Sequence, residues 1–178
     1  MTRIEQALRL ACKAHADQTR KTDGSPYIVH PLMVMYLLAQ HQVSEDVLAA
    51  ALLHDVLEDT TVQREEVLAV AGPESLRIIE AVSEDKTLPW EARKAAYVRQ
   101  VVAGGESVWF VSVADKIHNA ESLLDHIGMV GATAWDAFNR GKAEKLWFEN
   151  HLYTELIKVW HHPLLMHYGA CIEQLNAA

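Results

Sequence analysis

Apolar positions along this chain recur mostly three and four residues apart, the spacing of a helix face rather than the alternation of a strand. In "TRIEQALRLACKAHA", Ile4, Leu8 and Ala11 share one face, and Thr2 with Glu5 forms a capping box at its start. A polar loop, "TDGSPY", precedes a second helix in "HPLMVMYLLAQ", where Pro31 suits the first helical position and His30 the N-cap. Ser44 caps a third helix that runs into a charged cluster. Thr60 with Gln63 caps a fourth, "VQREEVLAVA", which Gly72 stops, and Pro73 starts a fifth.

After the loop "SEDKTLPW" a helix is expected over 91–103, ended by "GGE". The β-branched start of "SVWFVSVADKIHNAESLL" would suit a strand. No second strand pattern exists to pair with it, so a buried helix is the better reading. A long amphipathic helix follows in "KAEKLWFENHLYTELIKVW", and a last one in "PLLMHYGACIEQLN". The pattern predicts an all-α fold of about eight to ten helices.

Within that pattern one stretch is out of keeping. "AALLHDVLEDT" opens as a core helix and then presents His54, Asp55, Glu58 and Asp59. Burying such charge is costly unless it is paired or given to a metal. On a continuous helix the four side chains fall within an arc of about 140°, leaving Leu53, Val56 and Leu57 to pack. By itself a His-Asp pair more often marks a solvated helix end. His30 and Asp115, a second imidazole and a second carboxylate in apolar surroundings, change that balance. Two imidazoles and two carboxylates suit Mn²⁺, Fe²⁺ or Zn²⁺ rather than Ca²⁺ or Mg²⁺. Glu58 and Asp59 then remain to position or deprotonate a water.

Composition narrows the partners. At 178 residues the chain favours one domain, 1–178. No apolar run approaches the roughly 20 residues that span a bilayer, and "MTRIEQALRL" lacks a signal-peptide core, so no membrane partner and a cytoplasmic location are expected. A net charge of −8 argues against a nucleic-acid partner, leaving small polyanions held by local cations or a metal. Cys12 and Cys171 form no CxxC site and no disulfide framework. Oligomeric state is not set by these features.

The pattern His…His-Asp…Asp resembles the HD-domain metal-dependent phosphohydrolases. The blocks "AHADQTRKTDGSPYIVHPL", "AALLHDVLEDT", "EAVSEDKTLP" and "VSVADKIHNAESL" narrow the resemblance to the RelA/SpoT-type hydrolase domain, which removes the 3′-pyrophosphate of ppGpp. They cover about 11–124, with C-terminal helices over 131–178 completing the core and pocket. Without a synthetase or regulatory region, the chain looks like a small stand-alone alarmone hydrolase. The resemblance implies metal ligation by His30, His54, Asp55 and Asp115, usually of Mn²⁺, and water activation by Glu58 and Asp59. It further implies nucleotide contacts from Arg20, Lys21 and Asn119.

Each of these residues also has a plainer role open to it. Arg20 and Lys21 suit a solvated loop, and Asn119 a helix cap. Lys86 and Lys116 suit surface charge or structural ion pairs, and His15 and His118 hydrogen-bonded packing. His161 and His162 suit a surface turn before Pro163. Trp147 and Phe148 read as core rather than a stacking platform, where small hydrolases carry a tyrosine nearby. The expected activity is hydrolysis of ppGpp or pppGpp to GDP or GTP plus pyrophosphate. The alternatives are another nucleotide substrate (an adenine alarmone, NADPH or a nucleoside monophosphate) or a non-catalytic nucleotide sensor.

Overall fold

Thr2 Oγ accepts the amide of Glu5 at 3.1 Å and starts α1 (Arg3–Ala14), while the Glu5 carboxylate pairs with Arg9 instead of completing the expected capping box. The computed structural model describes residues 1–138 and 140–178. After α1 come α2 (Val29–Ala39), α3 (Glu45–Leu53), α4 (Val56–Asp59), α5 (Arg64–Val82), α6 (Trp90–Ala103) and α7 (Glu106–Val130). A 3₁₀ turn over Gly131–Ala137 leads to α8 (Gly141–Leu156) and α9 (Pro163–Ala177). The fold is all-α, with an isolated bridge between Thr19 and Pro26 as the extended pairing among the described residues.

The centre of the molecule is α3. Its residues Val47, Ala49, Ala50, Ala51, Leu52 and Leu53 are all buried, and it packs on α1, α2, α5 and α7. A helix apolar on every side has no solvent face to orient, so it becomes the core. Ser44 caps it as expected, accepting the Val47 amide. The spine is α7, about 37 Å long at 1.5 Å per residue, which touches α2, α3, α5, α6 and α9. The segment with strand-like composition is thus helical, because every face of it meets another helix. Phe148, Leu152 and Leu156 of α8 and Leu165 and Tyr168 of α9 enter the same core.

Two helix starts differ from expectation. His30 is not an N-cap: α2 already begins at Val29, because the Val29 and His30 amides bond to Pro26 O and Tyr27 O. Thr60 ends α4 instead of starting α5. Its hydroxyl donates to Val56 O at 2.6 Å and accepts the Val62 amide, while Gln63 and Glu66 form the capping box of α5. Within α5, Gly72 takes φ 84° and breaks the helix before Pro73, as its sequence position suggests.

Candidate metal centre

Helix α3 ends at Leu53. His54 (φ −60°, ψ −30°) and Asp55 (φ −96°, ψ −8°) form a turn between α3 and α4. The single continuous helical edge expected of His54, Asp55, Glu58 and Asp59 is therefore absent. The turn has a use. Neighbouring side chains on a regular helix diverge by about 100°, yet here His54 Nε2 and Asp55 Oδ2 lie 3.1 Å apart.

Two other helices aim at the same point. From α2, His30 Nε2 comes within 3.2 Å of His54 Nε2 and 3.6 Å of Asp55 Oδ2. From the middle of α7, Asp115 Oδ1 lies 3.1 Å from His30 Nε2 and 3.7 Å from His54 Nε2. Ligand atoms about 2.0–2.2 Å from a shared ion sit roughly 3–3.5 Å from one another, so these separations match the edges of a coordination shell. His30, His54 and Asp115 are all buried, with Asp55 close beside them.

Protonation supports the same reading. His54 Nδ1 donates to Ala51 O at 2.8 Å, which leaves Nε2 facing inward as the nitrogen that takes up either a proton or an ion. His30 Nδ1 lies 2.7 Å from His118 Nδ1. Burial, His30 and Arg20 hold the His118 pKa down to about 4, so it stays neutral and accepts that bond. Burial disfavours ionised Asp115, but Lys116 and the two histidines outweigh it and hold the carboxyl well below the usual range. Burial likewise opposes charge on Asp55 and on His54, and in both the mutual attraction wins: Asp55 falls and His54 rises. Four acceptor atoms converge on one point with a strong demand for positive charge. A proton on His54 meets that demand in part, and a divalent cation meets it fully, so the residues fit a metal.

Further groups hold the clustered side chains in place. Tyr27 Oη donates to Asp55 Oδ2 at 2.6 Å. Lys116 Nζ donates to Asp115 Oδ2 at 2.7 Å, and Asn119 Nδ2 to Asp115 Oδ1 at 2.5 Å. Arg20 in turn donates to Asn119 Oδ1 at 3.0 Å. Asn119 thus lies in mid-helix, bridging Arg20 to Asp115, and caps nothing. Tyr27 carries no assigned role in the sequence reading, although it stands three residues before His30 in a matched block.

Glu58 shares a cavity of about 130 Å³ with His30, Asp55 and Asp115. Its Oε2 accepts the Glu84 amide at 3.0 Å, and burial raises its pKa above that of an ordinary carboxyl. Asp59 is placed differently. It pairs with Lys86 at 2.6 Å and lines the neighbouring cavities that hold Arg20 and Lys86. Lys86 also lies 3.4 Å from Glu58 Oε1, so it serves as a structural ion pair, as expected.

Beyond the ligands the surface turns basic. A cavity of about 400 Å³ is lined by Lys21, Arg93, Lys94, Lys116, Arg140 and Lys145, with Phe138, Phe148 and Trp90 as apolar walls. A second, of about 340 Å³, holds Arg20, Lys21, Tyr27 and Asn119, and shares Lys21, Phe138 and Lys145 with the first. Lys116 is no surface charge: it lines both the ligand cavity and the large basic one. Burial, then Lys116 and Lys145, lower the pKa of Lys94 despite its ion pair with Glu84. Cations are crowded here in a chain of net charge −8. Phe148 is core, but Trp147 is not: its ring is half exposed and stacks on His151. Of these residues, Arg93, Lys94, Arg140 and Lys145 escaped the sequence reading, since α6, α8 and the residue preceding α8 bring them together from distant positions.

The chain resembles known proteins along these elements. The HD domain family matches residues 7–128. Over 121 residues it is 39% identical to the human guanosine-3′,5′-bis(diphosphate) 3′-pyrophosphohydrolase MESH1, covering 66% of this chain and 68% of that one. Against the GTP pyrophosphokinase rsh of Brucella ovis it is 32% identical over 126 residues, 67% of this chain and 17% of that protein. Among solved structures, a metazoan ortholog of SpoT that hydrolyses ppGpp superposes with a TM-score of 0.84 at 25% identity, over all of this chain and 98% of the other.

Proposed function

This chain belongs to the HD domain family, and from that premise we propose that it removes the 3′-pyrophosphate of guanosine tetra- or pentaphosphate, giving GDP or GTP plus pyrophosphate. The observation that carries the reading is Lys116, which joins the ligand cavity to a cavity lined by six cations. A nucleotide with phosphates at both ends of its ribose needs such a field, one end at the reacting centre and the other against fixed positive charge.

His30, His54, Asp55 and Asp115 hold the ion, with Mn²⁺ as the suited metal for an N₂O₂ donor set of this kind. Bound there, it supplies Lewis acidity and lowers the pKa of water. Glu58, lining the same cavity with a raised pKa, accepts the proton of the attacking water. Asp59 acts through Lys86, balancing a cation that otherwise draws on Glu58. Water adds to the phosphorus on the ribose 3′-oxygen, the 3′-O–P bond breaks, that oxygen takes up a proton, and pyrophosphate departs. Lys116 is placed to stabilise charge on the departing group. Arg20, Lys21 and Asn119 line the adjoining cavity and orient the nucleoside portion, with Phe138 as an apolar wall.

The test is a panel of ppGpp, pppGpp, an adenine alarmone, NADPH and nucleoside monophosphates, with Mn²⁺ and a chelator control. Pyrophosphate released from the guanosine alarmones is the expected product. Orthophosphate from the others alone, or ppGpp binding without turnover, overturns the assignment.

A further inference from the structure

Outside the centre just described, a second set of metal-ligating side chains meets between α7 and α9. His167 and Cys171 stand four residues apart on α9 and so share one face of it. Glu121 approaches from α7, its Oε1 lying 3.0 Å from His167 Nε2. The ligand atoms of all three lie within 4.8 Å of one another. Cys171 is buried, whereas the His167 and Glu121 side chains keep 44% and 43% of their exposure. The cluster is thus anchored at its sulfur and open to solution at its other two ligands.

We propose that Glu121, His167 and Cys171 form a second metal site, selective for a borderline-soft divalent cation such as Zn²⁺, which clamps α9 to α7. The donor set differs in kind from the first centre. Thiolate, imidazole and carboxylate together suit tetrahedral Zn²⁺, with water in the fourth place, while the first centre offers nitrogen and oxygen alone. Charge also balances, since one thiolate and one carboxylate neutralise the divalent ion. The spacing between Glu121 and His167 already matches two ligands of one ion. Closing the remaining distance to the sulfur requires side-chain rotation by the exposed His167 and half-exposed Glu121, both of which have room.

Proton bookkeeping is simple. Burial, with Glu121 nearby, lifts the Cys171 thiol to about 11, so it is protonated before the ion arrives and releases that proton to solvent on binding. His167 would offer Nε2 to the ion and keep a proton on Nδ1. Cys12, the other cysteine, is exposed on α1 and belongs to no such group among the described residues.

Cobalt distinguishes the two centres, because only a thiolate ligand gives a near-ultraviolet sulfur-to-cobalt charge-transfer band. Titrating the intact protein with Co²⁺ should produce that band at the second equivalent of bound metal. Cys12→Ser should retain it, and Cys171→Ser and His167→Gln should lose it and bind one equivalent fewer. His167 is exposed, so its replacement leaves the core undisturbed and serves if Cys171→Ser folds poorly. Zn²⁺ should also raise the melting temperature of the wild type more than that of His167→Gln. Absence of the band, its survival in His167→Gln, or its loss in Cys12→Ser overturns the proposal.

Discussion

The Tyr27 hydroxyl donates to Asp55 Oδ2 over 2.6 Å, tying the chain before α2 to the turn that ends α3. This bond selects which oxygen of Asp55 faces His54. Burial and the Asp55 charge both push the Tyr27 pKa upward, so the phenol remains a donor throughout the working pH range. Tyr27→Phe removes the hydroxyl and keeps the ring. Partners of this kind typically contribute about 10–100-fold in metal affinity, and a loss of that order is expected, with unchanged far-ultraviolet circular dichroism. Metal titration by calorimetry reads it.

Asp55→Ala removes one of the two carboxylates proposed to hold the ion and leaves His30 and His54, 3.2 Å apart, with Asp115 as the remaining negative charge. Metal binding and alarmone turnover should vanish together. Elemental analysis after dialysis, run beside the activity assay, checks both; full turnover by this variant refutes its place in the ligand shell.

Glu58→Gln should keep the ion and lose roughly 10²–10⁴ in rate, the usual contribution of a positioned base. The pH profile carries a sharper signature. A base works when ionised, and burial raises the Glu58 pKa. Activity should therefore be full above that raised pKa and fall as pH drops through it, at a higher pH than an ordinary glutamate gives. The Gln variant should lack this acid limb, whereas a limb left unmoved assigns it to another group.

Lys94 and Lys145 reach the basic cavity from α6 and α8. Lys94→Met and Lys145→Met should raise KM for ppGpp by roughly tenfold each, about 1.4 kcal/mol, with a smaller change in kcat. Both effects should shrink in high salt, which screens the attraction. Initial rates at two ionic strengths decide this; a fall in kcat at constant KM contradicts it.

Local hydrogen bonding explains which parts of the fold were readable in sequence. Thr2 and Ser44 cap helices because their hydroxyls need only an amide two or three residues on. Gly72 followed by Pro73 breaks α5 wherever the rest of the chain lies. Thr60 misled because its hydroxyl closes α4, donating to Val56 O and accepting the Val62 amide, and the cap of α5 falls to Gln63. The histidines and aspartates proposed to hold the ion were legible as charge out of place among apolar residues. The turn at His54–Asp55 was not, since nothing in "LLHDVL" forbids a continuous helix; the break shows only when the two side chains are seen to meet. Lys94 and Lys145 leave no trace in local sequence at all, because helix packing alone makes neighbours of them.

Lys116 holds Asp115 with one side of its environment and faces the large basic cavity with the other. An ion at the ligand cluster takes over part of the Asp115 charge, so the ammonium is drawn less strongly to that carboxylate and more to an incoming phosphate. The polyanion, by occupying the ammonium, in turn leaves Asp115 more fully to the ion. Reciprocity requires the two effects to be equal in free energy. On the proposed function, Lys116 would couple the two events, an ion beside Asp115 favouring phosphate at the ammonium and phosphate favouring the ion by the same free energy.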